Sequence, residues 1–135
     1  MNSGSRDRKV RKHSVLRSFS FAFSGIRTAI LDERNLQIHL AVSIAVIIFG
    51  VFFGISSFEW MIILLAIGGM LSLELLNTAI ERVVDLATED YHPLAKQAKD
   101  IAAGAVLVYA IVSVIIGGVI FLPKILMFCS NVKLS

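Results

Sequence analysis

One cysteine in 135 residues, Cys129, cannot close an intrachain disulfide, so a disulfide framework is excluded. Two prolines and nine glycines leave no low-complexity segment and no long linker. Charge is scarce as well: 17 % of the residues are Asp, Glu, Lys or Arg, against about 25 % in an ordinary soluble domain. The scarcity is uneven. No Asp, Glu, Lys or Arg occurs in the 24 residues between Arg34 and Glu59, or in the 23 between Asp100 and Lys124. What fills these gaps is apolar, and 56 % of the whole chain is hydrophobic. So short a chain has too high a surface-to-volume ratio to hide that much apolar surface. A hydrocarbon core about 30 Å thick is crossed by roughly 20 helical residues. Both gaps are long enough, and the composition describes an all-α membrane protein.

The layout divides as follows. Residues 1–13 read as a flexible basic tail, and 14–123 as a single membrane-embedded domain. The domain opens with an amphipathic helix over 14–31, in which Val15, Leu16, Phe19, Phe23, Ile26 and Ile30 recur at helical spacing opposite Arg17, Ser20, Ser24 and Arg27. Such a helix either lies in the membrane interface or packs on the bundle. Spans follow at about 36–55, 60–86 and 101–122, the last ending at Pro123, with 124–135 as a short extracytoplasmic tail. The first connection is a tight hairpin around Gly54, and residues 87–100 form the only substantial polar loop, turning at Pro93. Eight basic residues precede the first span and none lies in the first connection. By the positive-inside rule the amino terminus and the 87–100 loop face the cytoplasm, with the hairpin and carboxyl terminus outside. The basic tail fits anionic phospholipid rather than nucleic acid.

The second span carries residues that lipid does not ask for. Glu74, Asn77, Glu81 and Asp85 fall within an arc of about 80° on one helix face. An ionisable group inside a membrane costs several kcal/mol unless paired or watered. The stripe gathers towards the cytoplasmic leaflet, where Asp32 and Glu33 precede the first span and Lys99 and Asp100 open the third. Carboxylates grouped with an amide and a lysine suit phosphoryl transfer from a nucleotide: oxygens for Mg²⁺, an ammonium for phosphate, a base for a hydroxyl proton. The same group also suits a proton-coupled transporter, or a polar clasp in a non-catalytic assembly subunit. His39 reads as a hydrogen-bonded packing residue and His92 as a loop or capping group. Gly68, Gly69, Gly117 and Gly118 read as points of close helix approach.

At residues 74–86, ELLNTAIERVVDL, and 92–100, HPLAKQAKD, continued by AAGAVLV at 102–108, the sequence resembles the prokaryotic diacylglycerol kinase family of small membrane lipid kinases. The branch formed by the Gram-positive undecaprenol kinases is the nearer. The resemblance implies a homotrimer in the bacterial cell membrane with active sites shared between subunits. It also implies transfer of the γ-phosphoryl group of ATP to a lipid hydroxyl, with Mg²⁺ required. The acceptor is then undecaprenol, or alternatively diacylglycerol. The resemblance places Glu74 as general base, Glu33 and Glu81 as metal and nucleotide ligands, Asn77 and Asp100 as polar residues ordering the site, and Lys99 on a phosphate; Asp85 supports them as a further acidic residue. Two positions depart from the family pattern: His39 stands where diacylglycerol kinases carry a Glu, and Lys96-Gln97 where they carry Gly-Arg.

Topology is open to a direct test. In a Cys129→Ser background, a membrane-impermeant maleimide is expected to label Ser57→Cys in intact cells and Thr88→Cys only after the membrane is opened. The reverse pattern inverts the orientation.

Overall fold

The computed structural model describes residues 15–88 and 90–132. The basic tail expected at 1–13 lies outside them. Four helices follow one another: α1 (Val15–Asp32), α2 (Arg34–Phe52), α3 (Ser57–Ala87) and α4 (Pro93–Val132). The last three are long and apolar enough to cross a membrane, so the chain is an integral membrane protein of all-α class.

Each boundary has a local cause. The only non-helical residue between α1 and α2 is Glu33, in an extended conformation (φ −104°, ψ 111°), so the polar segment 32–35 is a one-residue break. Gln37 ties the corner by donating from Nε2 to the Ile30 carbonyl at 2.9 Å. At the α2–α3 turn Gly54 takes the left-handed backbone (φ 57°), and Ile55 donates its N–H to the Gly50 carbonyl at 3.1 Å, the closure typical of a helix ended by glycine. Ser56 then caps α3: its hydroxyl accepts from the Glu59 N–H, and Glu59 Oε2 accepts from the Ser56 N–H at 2.7 Å. This reciprocal pair satisfies two N–H groups that a helix start leaves open.

The fourth helix departs from expectation at both ends. Residues 93–100, expected in the polar loop, are helical. Proline is well placed at a first helical position, and His92 Nδ1 accepts from the Leu94 N–H at 3.2 Å, so His92 does act as a cap. At the other end α4 does not stop at Pro123 but runs through it to Val132, so 124–132 is helix where a tail was expected. Proline forfeits one intrahelical hydrogen bond, but side chains on both sides of Pro123 are anchored. Phe121 and Phe128 pack around Phe53 with ring centroids 6.4 and 6.2 Å away, and Lys124 pairs with Glu59 at 3.2 Å. This hairpin end of the bundle also holds the hydrophobic cluster of Ile55, Ile63 and Ile120.

Of the four glycines expected at close helix approaches, one serves that way within the chain. Tyr109 on α4 lies over Gly69 and donates its hydroxyl to the Leu65 carbonyl at 3.0 Å; a Cβ at Gly69 would fall 2.0 Å from Tyr109 Oη. Gly68, Gly117 and Gly118 have nothing within 4 Å of such a Cβ. Gly69→Ala is therefore expected to displace Tyr109 and to cost about 1–3 kcal/mol, the usual range for overpacking. Gly68→Ala is expected to be near neutral. Thermal unfolding of both variants in mild detergent makes the comparison.

Candidate active site

The face of α3 turned towards the other helices changes character along its length. Near the α2–α3 turn it presents Ile63, Ala66 and Met70; one turn further it presents Glu74, Asn77 and Thr78, all buried. Glu74 is only 3 % exposed. Glu81 is half-buried and Asp85 is exposed. At 1.5 Å per residue the stripe extends about 16 Å along the axis from Glu74 to Asp85. It passes from enclosed to open.

Three helices supply partners. From α2, His39 Nε2 lies 3.1 Å from Glu74 Oε1. Within α3, Asn77 donates from Nδ2 to Glu81 Oε1 at 3.0 Å. Arg82 reaches back to the α1–α2 corner, 3.1 Å from Asp32 Oδ2 and 3.3 Å from Glu33 Oε1. From α4, Lys99 pairs with Asp85 at 2.5 Å. Asp100 is matched by Lys96, one turn earlier on the same helix. The seven candidate residues thus divide. Glu74, Asn77, Glu81 and Asp85 share one face of α3, Lys99 joins them at the open end, and Glu33 is held next to that face by Arg82. Asp100 is engaged on the outside of α4 with Lys96.

The site holds two further residues. His39, expected as a packing residue, lies 3.1 Å from the most buried carboxylate of the stripe. Thr78 was overlooked, although four residues after Glu74 it falls on the same face. Helical spacing was signal enough for Thr78; nothing in the sequence pairs His39 with Glu74.

The chemistry of this donor set fits a cation shared with a nucleotide. Among the described residues no three His, Cys, Asp or Glu side chains form a metal-binding group, so a cage made by the chain alone is absent there. Mg²⁺ does not require one: it is commonly held by one or two carboxylates, with waters and substrate phosphates completing its shell. Asn77 Oδ1 is buried without a hydrogen-bond partner, beside the Glu81 carboxylate that its own amide engages. A buried acceptor in that position is costly unless a ligand completes it.

A membrane bundle with a carboxylate-rich wall opening at one end is what a small lipid kinase requires, and the chain belongs to the prokaryotic diacylglycerol kinase family, whose model matches residues 20–121. It is a lipid kinase that transfers phosphate from ATP. Over 121 residues it is 54 % identical to the undecaprenol kinase of Bacillus subtilis, covering 90 % of this chain and 98 % of that protein. It is 43 % identical over 114 residues to the diacylglycerol kinase of Synechocystis, covering 84 % of this chain and 65 % of that longer protein. With the diacylglycerol kinase of Escherichia coli it shares 31 % identity over 102 residues, 75 % of this chain and 83 % of that one. Membership decides for phosphoryl transfer against the transporter and assembly-subunit alternatives.

The Lys99–Asp85 pair separates a structural from a functional role. Exposed ion pairs contribute about 0–1 kcal/mol, so Lys99→Gln and Asp85→Asn are expected to lower thermal stability slightly and alike. If Lys99 contacts phosphate, Lys99→Gln raises KM for Mg·ATP, and by more than Asp85→Asn, which removes only the partner of the lysine.

Proposed function

We propose that the protein phosphorylates undecaprenol to undecaprenyl phosphate at the cytoplasmic face of the membrane. The single observation that carries the site assignment is the burial of Glu74 at the enclosed end of a polar stripe. In this reading the lipid hydroxyl meets Glu74, and the part of its hydrocarbon chain next to the hydroxyl lies in a cavity of about 350 Å³ between α2, α3 and α4, lined mainly by apolar residues such as Val42, Val46, Ile63 and Met70. Glu74 takes the hydroxyl proton as the oxygen attacks the γ-phosphorus of ATP, and ADP leaves. Glu81 and Glu33, with Asn77 Oδ1, hold Mg²⁺ at the more open part of the stripe. The ion supplies neutralisation of phosphate charge. Lys99 contacts phosphate from the α4 side, Asp85 positions that lysine, and Asp100 orders the start of α4 through Lys96. Glu74 and Glu81 stand about 10 Å apart along the axis, which supports separate roles for the two.

The exposed Phe19, Phe21 and Phe23 of α1 support its placement in the membrane interface, since Ala29, buried among the described side chains of that helix, lies at its far end. A homotrimer with shared sites would cover the parts of the stripe and the apolar faces that one chain leaves open. The acceptor assignment is supported by the 54 % identity to an undecaprenol kinase. The 43 % identity to a diacylglycerol kinase supports the second reading, with phosphatidic acid as product.

One assay addresses both questions. Purified protein with Mg·ATP is given undecaprenol or diacylglycerol at matched mole fraction in mixed micelles, and turnover of undecaprenol is expected to be the faster. Faster turnover of diacylglycerol reverses the acceptor and keeps the kinase. In the same assay Glu74→Gln is expected to lower kcat by at least about 100-fold, within the range of general-base contributions. Glu81→Gln is expected to raise KM for Mg·ATP, partly offset by added Mg²⁺.

A further inference from the structure

The partner of Glu74 has a role in the reaction that its reading as packing does not contain. We infer that His39 is a positioning residue for phosphoryl transfer, fixing one oxygen of the Glu74 carboxylate so that the other is left for the acceptor hydroxyl. The inference rests on the proposed role of Glu74 as proton acceptor and adds the group that makes this role attainable.

Three observations carry it. First, the Glu74 side chain is 4 % exposed and that of His39 26 %, with Nε2 and Oε1 3.1 Å apart. A carboxylate buried in an apolar bundle is costly without a polar partner, and here the contact on Oε1 is His39. Second, the contact crosses from α2 to α3, so the orientation of Glu74 depends on a side chain outside its own helix. The α2 backbone at this point is fixed: Leu36, one turn earlier, is 2 % exposed, and Ser43 Oγ donates to the His39 carbonyl at 2.7 Å. Third, His39 also lines the apolar cavity between α2, α3 and α4. It therefore stands between the base and the space assigned to the lipid chain, where a hydroxyl arriving from that cavity meets the carboxylate.

The chemistry assigns atoms. A neutral imidazole with its hydrogen on Nε2 donates to Oε1, which leaves Nδ1 as the unprotonated nitrogen. During transfer the hydroxyl proton passes to Glu74 Oε2 while the alcohol oxygen bonds to the γ-phosphorus and the bond to the ADP oxygen breaks. His39 keeps its own proton throughout and touches no reacting atom.

Because a clasp between α2 and α3 would also use this contact, the test needs readouts that packing does not move. The variants His39→Ala, His39→Leu, His39→Gln and Glu74→Gln are purified in mild detergent, checked for helical content and assembly, and assayed for kcat and for KM of lipid and Mg·ATP. His39→Ala and His39→Leu are expected to lower kcat by about 10- to 100-fold, the cost commonly seen when the partner of a reactive group is removed, with KM for Mg·ATP unchanged. His39→Gln keeps an N–H donor of similar reach and is expected to recover most of kcat. Combined with Glu74→Gln, His39→Leu is expected to lower kcat no further, the non-additivity of two residues acting through one interaction. Equal kcat in His39→Leu and His39→Gln overturns the inference, and their comparison stands even if His39→Ala fails to assemble. Wild-type kcat in all three His39 variants alongside an inactive Glu74→Gln overturns the role of His39 alone. Near-normal kcat in Glu74→Gln overturns the proton-acceptor reading beneath it.

Discussion

A carboxylic acid placed in an apolar helix bundle needs a polar partner, and much of this molecule is arranged around that requirement at Glu74. The partner comes from His39 on the preceding helix, so α2 and α3 have to meet in one rotational register. Gly54 and the Ser56–Glu59 capping box set that register at the α2–α3 turn. Gly50 contributes by lying close under the indole of Trp60, where a Cβ would stand 2.8 Å from the ring. Nothing in the packing of Leu, Ile and Val specifies so particular a pairing, because one apolar contact substitutes readily for another. A buried polar pair does specify it.

The same economy governs the open end. Arg82 joins α3 to the corner between α1 and α2 through Asp32 and Glu33, and Lys99 joins α3 to α4 through Asp85. The cations that draw the helices together thus lie among the carboxylates assigned to nucleotide binding. Under the proposed assignment, phosphate and Mg²⁺ entering such a site would exchange one set of ion pairs for another.

How much of this the amino-acid order disclosed depends on the range of the interaction. The three spans and the stripe on α3 were legible because burial and amphipathicity repeat at a fixed helical period; Glu74, Asn77 and Glu81 follow from that alone. The continuation of α4 through Pro123 was not legible. The local cost of proline is visible in sequence, whereas its offset comes from Phe53 and Glu59, some 70 positions away in the chain. Pro93 misled in the opposite direction, since a residue that breaks a helix in its interior begins one at its first position. The His39–Glu74 contact lay out of reach for the same reason as the outer clasp: it is a pairing between helices, fixed by a turn whose geometry shows only once the chain is folded.

The tight α2–α3 turn has a consequence for biosynthesis. Between Arg34 and Glu59 there is no Asp, Glu, Lys or Arg. Inserted alone, α3 would bring Glu74 into lipid without its partner, at the penalty an unpaired ionisable side chain meets there. Inserted with α2 as one hairpin, it arrives with His39 alongside. The nascent chain gains from holding both helices at the translocon until they enter together, so the residues assigned to chemistry also bear on the order in which the helices are integrated.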